Sequence, residues 1–202
     1  MSKIMICGIT HSSEVLALNR LTPDYVGFVL GSDETSPRRI SHSKAEDLKQ
    51  KLKSSVQAVG IFENESIDFI ESYCDNDIID LVQLDGDEDD RYILELSRRV
   101  PVPIIKTVKA KSPQDIIDAE KLHCQYLRLG SFDKAFNLDI IPSTVTKPFF
   151  LAGKLSAENI RDIIGKVRPY CVDVCAAVET DGLKDAEKMK VVIEKAHRHD
   201  DK

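Results

Sequence analysis

Short apolar runs rich in β-branched residues recur along the chain, and longer amphipathic stretches separate them. The runs Lys3–Cys7, Tyr25–Leu30, Val56–Phe62, Ile79–Leu84, Pro103–Val108, Gln125–Leu129, Pro148–Ala152 and Cys171–Cys175 predict strands. Between them, helical spacing marks Ser12–Leu21, Ser43–Lys53, Ser66–Cys74, Glu88–Arg99, Pro113–Leu122, Ser156–Lys166 and Lys184–His197. Several of these segments carry start signals. Ser43 is followed three residues later by Glu46, and Ser112 precedes a proline suited to the first helical position. Ser156 opens a segment whose Ile160, Ile163, Ile164 and Val167 share one face.

The strand–helix alternation predicts a parallel sheet with helices packed outside it. Eight strands predict closure into an α/β fold of the (β/α)₈ TIM-barrel type, with an open doubly wound sheet as the alternative. No GxGxxG follows the first strand, which counts against the dinucleotide-binding version of that open sheet. The sixth unit is irregular. From Gly130 to Lys147 there is no full helical pattern, only the apolar cluster Phe136–Ile141. No low-complexity linker interrupts residues 1–202, which read as a single barrel domain. In such barrels the reactive groups stand at the carboxyl ends of the strands.

Composition narrows the function classes. Of 202 residues, 42% are hydrophobic and 31% charged, the balance of a soluble globular chain. A net charge of -6 argues against attraction to nucleic acid or an anionic membrane. No apolar run approaches the ~20 residues of a membrane span, and Met1–Cys7 lacks a signal-peptide layout. The cysteines, Cys7, Cys74, Cys124, Cys171 and Cys175, are odd in number and scattered, which predicts free thiols in a reducing cytoplasm. His11, His42 and His123 stand singly as surface or capping residues, so neither a metal nor an organic cofactor is expected.

Many fragments resemble, in order and in register, the phosphoribosylanthranilate isomerase family. They begin with Lys3-Ile4-Met5-Ile6-Cys7-Gly8-Ile9-Thr10 and Gly27-Phe28. Ser36-Pro37-Arg38, Val59-Gly60-Ile61-Phe62 with Asn64, and Leu81-Val82-Gln83-Leu84 with Gly86-Asp87-Glu88 follow. Pro103-Ile104-Ile105-Lys106, Leu151-Ala152-Gly153, Arg168-Pro169-Tyr170, Val172-Asp173-Val174, Val178-Glu179 and Gly182-Leu183-Lys184-Asp185 complete the series. The resemblance implies a barrel that rearranges an aminoaldose phosphate to an aminoketose, with a small sugar phosphate as its ligand. That reaction needs an acid to open the ribose ring and a base to remove a carbon-bound proton.

The resemblance gives Cys7 the base role, with a nearby cation raising its thiolate fraction. Outside that context Cys7 reads as a small buried hydrophobe. Arg38 resembles the arginine that meets the anthranilate carboxylate, a match for its planar fork; otherwise it is a solvated loop residue. Asp173 resembles an aspartate near the site, or serves as a structural acceptor.

Three departures stand out. The family's general acid is an aspartate at the end of strand six, where Leu129 stands, and Asp133 would have to reach back from the following loop. The family's glycine-rich phosphate loop after strand six is shortened here. Gly153 is followed by Lys154 instead of a second glycine, and Cys175-Ala176-Ala177 replaces a Ser-Ser-Gly run. Helix starts at Ser156 and near Ala176, with Lys154, remain as anion attractors, Lys154 reading equally as a solvated lysine. Third, Asp85 stands where the family usually has histidine. It reads as a substitute acid with a raised pKa, or as a solvated carboxylate or helix cap.

Overall fold

A computed structural model describes residues 2–31, 36–130 and 135–197. Eight parallel strands form a closed ring in sequence order. They are β1 (Lys3–Cys7), β2 (Tyr25–Val29), β3 (Gln57–Phe62), β4 (Leu81–Leu84), β5 (Ile104–Val108), β6 (Tyr126–Leu129), β7 (Phe149–Leu151) and β8 (Cys171–Val174). The ring closes where β1 pairs with β8, Lys3 opposite Cys171 and Ile6 opposite Val174. The helices are α1 (Ser12–Leu21), α2 (His42–Lys51), α3 (Ile67–Asp75), α4 (Asp90–Arg99), α5 (Pro113–Ala119), α6 (Ile160–Val167) and α7 (Ala186–His197). Among the described residues, β6 and β7 are joined by a single 3₁₀ turn, Leu138–Ile140, as the irregular sixth unit predicted. A short hairpin, β9 (Glu179–Thr180) and β10 (Leu183–Lys184), precedes α7.

Alternation along the strands divides the apolar residues into two bodies. Outward residues such as Ile4, Ile6, Val82, Leu127 and Leu129 pack beneath the helices. Inward residues Met5, Tyr25, Val59, Leu81, Ile105, Phe150 and Cys171 fill the barrel. Near its amino-terminal end the filling is aromatic. Tyr126 meets Phe150 edge-on at 5.6 Å, Tyr170 lies 5.8 Å from Phe150, and Lys3 sits over the rings of Tyr25 and Tyr170. These side chains fill this end among the described residues, and in such barrels the reactive groups stand toward the carboxyl ends.

Several helix starts differ from the sequence expectation, each for a visible reason. Ser41, not Ser43, caps α2, accepting from the Lys44 amide. Ser112 does precede Pro113 at the start of α5 as expected, and it also forms a reciprocal box with Asp115 that the sequence expectation did not include. Glu88 is not helical: it lies buried in an ion pair with Lys106 at 2.7 Å, and Asp89 caps α4 instead. Lys184 likewise falls in β10, its amide donating to Glu14. The segment from Ser156 turns first, Asn159 accepting from the Ser156 amide, and α6 begins only at Ile160.

Candidate active site

The polar groups converge above the apolar filling, at the carboxyl ends of the strands. A cavity of about 220 Å³ opens there, lined among others by Cys7, Arg38, Glu63, Asp85 and Cys175. Cys7 ends β1 at its floor and is only 1% exposed. Gly27 on β2 leaves room for it, because a Cβ at that position would lie 3.1 Å from the Cys7 sulfur.

The electrostatics of Cys7 reverse the expectation of a cation-activated thiolate. Its S–H donates to Cys175, and burial and the nearby Asp173 carboxylate add to that effect; together they push its pKa well above the ordinary thiol value. Arg128 works in the opposite direction and is outweighed. Cys175 is the acidic member of the pair. The hydrogen bond from Cys7 lowers it, and so do Lys184, 3.6 Å away, and Arg38, against the effect of burial.

Arg38 lies across the β1 loop. A Cβ at Gly8, where φ is +81°, would fall 2.5 Å from its Cδ, so that glycine is needed both for its backbone conformation and for the arginine's passage. The guanidinium fork is already engaged. Nε and Nη2 donate to the two carboxylate oxygens of Glu179 at 2.9 and 2.8 Å. Glu179 also accepts from Lys184. Burial works to raise the Glu179 pKa, but the two cations prevail and hold it at about 2.

Asp173 faces inward from β8 and is fully buried. It accepts from Arg128 Nε at 2.7 Å, while its Oδ1 has no hydrogen-bond partner among the described residues. Burial raises its pKa to about 6 despite the arginine. Sequence reasoning missed Arg128. Leu129, matched above to the family's acid, points outward beneath the helices, and Arg128 is the inward residue of β6. The period-two alternation of Tyr126, Arg128 and Gly130 was the signal that could have found it.

Asp85 is not a helix cap. It accepts from Gln83 Nε2 at 2.9 Å and from Thr107 Oγ1 at 2.5 Å, and lines both the first cavity and a second that runs over β5 and β6 past Arg128. The residues expected to hold a phosphate stand apart from these cavities. Gly153 (φ +148°) and the exposed Lys154, Ala176 and Ala177 lie at the ends of β7 and β8, and none lines either cavity. The helix start expected near Ala176 is one 3₁₀ turn, Ala176–Val178, too short to sum a useful dipole. Asp133 lies outside the described residues. The lone histidines serve locally: His11 closes a capping box on α1, His42 packs on Tyr73 and His123 contacts Asp90. No helix among the described residues is long and apolar enough to cross a membrane.

A closed eight-stranded α/β barrel with a filled amino-terminal end and polar groups gathered at its carboxyl rim defines a rim-site barrel of the kind that binds small molecules. The family model described as N-(5'phosphoribosyl)anthranilate (PRA) isomerase matches residues 4–195, and the chain belongs to that family. It is 38% identical to N-(5'-phosphoribosyl)anthranilate isomerase of Lachnoclostridium phytofermentans, over 93% of this chain and 94% of that protein. The crystal structure of phosphoribosyl anthranilate isomerase from Thermotoga maritima superposes with a TM-score of 0.87 at 30% identity, covering 98% of this chain and 99% of the other. Another structure of the enzyme, in complex with reduced 1-(o-carboxyphenylamino)-1-deoxyribulose 5-phosphate, gives 0.82 at 31% identity, with 98% and 99% covered.

Proposed function

We propose that this chain is an aldose–ketose isomerase that rearranges N-(5'-phosphoribosyl)anthranilate to the carboxyphenylamino deoxyribulose phosphate in tryptophan biosynthesis. The observation that carries the reading is that one cavity is lined by a thiol, a guanidinium and a carboxylate together: Cys7, Arg38 and Asp85. A homologue binds a reduced product analogue bearing both an aromatic carboxylate and a phosphate.

In this reading Arg38, braced by Glu179, receives the anthranilate carboxylate. Asp85 protonates the ribose ring oxygen as the ring opens. The Cys7–Cys175 pair ionises first at Cys175, so Cys7 takes the carbon-bound proton while its own S–H proton passes to Cys175. Asp173 is a positioning residue that holds Arg128. Gly153, Lys154, Ala176 and Ala177 accept the phosphate, with Lys154 as its charge partner. The site calls for no metal or organic cofactor, nucleic acid or membrane, and the setting is cytoplasmic.

Steady-state turnover tests this. Cys7→Ala is expected to fall by ~10²–10⁴-fold and Asp85→Asn by a similar factor, mainly in kcat. Arg128 favours a second reading, because it places a cation on the inward face of β6 where an acid is expected: a barrel that binds the sugar phosphate without turning it over. Wild-type turnover no higher than that of Cys7→Ala, with the product analogue still raising the melting temperature, would sink the first reading and leave the second.

A further inference from the structure

Cys7 ends β1 and Cys175 directly follows the neighbouring β8, and Cys175 stands where a serine is expected from the family pattern. The β1–β8 register runs Met5 to Asp173 and ends at Ile6 opposite Val174, and Cys7 and Cys175 are the residues that follow on the two chains. At that last paired step the strands lie about 4.8 Å apart, and a disulfide spans a Cα separation of ~4.4–6.8 Å, so one residue further on the two thiols start within bridging reach. Both are free thiols lining the same cavity, and their side chains share a hydrogen bond. The other three cysteines stand apart from this cavity: Cys74 and Cys124 pack beneath the helices, and Cys171 lies deeper, at the Lys3 level of the ring.

We propose that Cys7 and Cys175 form a reversible disulfide across the β1–β8 seam, a redox site at the floor of the cavity. The oxidant class is a small peroxide able to enter the open mouth. Cys175 is the attacking thiol, flanked by Lys184 at 3.6 Å and by the Glu179–Arg38 pair. Its thiolate attacks the peroxide O–O bond, giving a sulfenic acid and releasing hydroxide, which is protonated to water. Cys7 then gives up its proton and attacks the Cys175 sulfur, expelling hydroxide that leaves as a second water. In sum, two thiols and hydrogen peroxide give one disulfide and two waters, and a dithiol reductant reverses the change. The bond removes the proton acceptor at Cys7 and so halts the isomerase step, a consequence that rests on the function proposed above.

The cross-link itself is read without any activity measurement. Purified protein is treated with hydrogen peroxide, its remaining thiols are alkylated after unfolding, and the peptides are mapped without reduction. The expected result is loss of two hydrogens from the intact mass, a peptide joining Cys7 to Cys175, and full recovery of both thiols after dithiothreitol. In Cys175→Ser the linked peptide is absent. A stable sulfinic acid at either cysteine with no linked peptide overturns the proposal. So does a link to Cys171, or two thiols that stay alkylatable while methionines are oxidised. Where the link forms but wild-type enzyme shows no turnover in either state, the redox site stands and the isomerase reading fails.

Discussion

Glu179 holds two cations at once, and that makes it the residue whose ionisation the rim depends on. Its carboxyl lies at about 2 against an ordinary value of 4.5, with Arg38 and Lys184 outweighing its burial. A carboxylate with a depressed folded pKa contributes stability fully present above 4.5 and lost as pH falls toward 2. Glu179→Gln is therefore expected to be less stable than wild type by ~1–3 kcal/mol at neutral pH, since it leaves Lys184 buried without its charge partner. The gap should narrow as pH falls through that window, as read by melting temperatures at several pH values. A constant gap would count against the ion pair as its origin. The sequence placed Val178-Glu179 in the family pattern but assigned the glutamate no role. Its partners come from residues 38 and 184, and no local pattern encodes such a pairing.

At the scale of elements, the seam between β6 and β7 is the least conventional part of the ring. The chain leaves β6 at Gly130 with φ +92°, and a Cβ there would lie 2.2 Å from the Ala152 carbonyl oxygen. Gly130→Ala therefore meets both a left-handed backbone and a neighbouring main chain, and is expected to cost at least ~1–3 kcal/mol. Denaturant unfolding measures this, and a midpoint equal to wild type would show that the two strand ends separate without penalty. Strands were legible because each apolar run is short and bounded, and most observed strands fall within the predicted runs. Helix starts were less legible. Glu88 and Lys184 have helical spacing, but burial with Lys106 and Glu179 draws each out of its helix. Ser43 offered a plausible cap, and Ser41 took the position because its hydroxyl reaches the Lys44 amide.

For the whole molecule, closure is the property that separates a barrel from an open sheet of the same strands. β1 bonds to both β2 and β8, so no barrel strand is an edge. Native-state hydrogen exchange should therefore show amides of β1 and β8 opening with about the same free energy as those of β4. Early exchange confined to β1 and β8 would indicate a seam that opens by itself. Closure also brings Cys7 beside Cys175 and Arg38 beside Glu179, pairs separated by more than a hundred residues in sequence.

The sequence by itself determined the order of barrel strands and helices, the irregular sixth unit and the presence of Cys7, Arg38, Asp85 and Asp173 near strand ends. Strand–helix alternation left closed and open sheets both standing, and only the family resemblance implied the barrel. Alternation and spacing act over a few residues, so they are written locally. Only the tertiary structure decided that Arg128 turns inward to Asp173, that Arg38 is already clasped by Glu179, and that the Cys7 thiol meets another thiol instead of a cation. Charge and proton affinity depend on burial and on neighbours across the ring, and those neighbours exist only once the ring has closed.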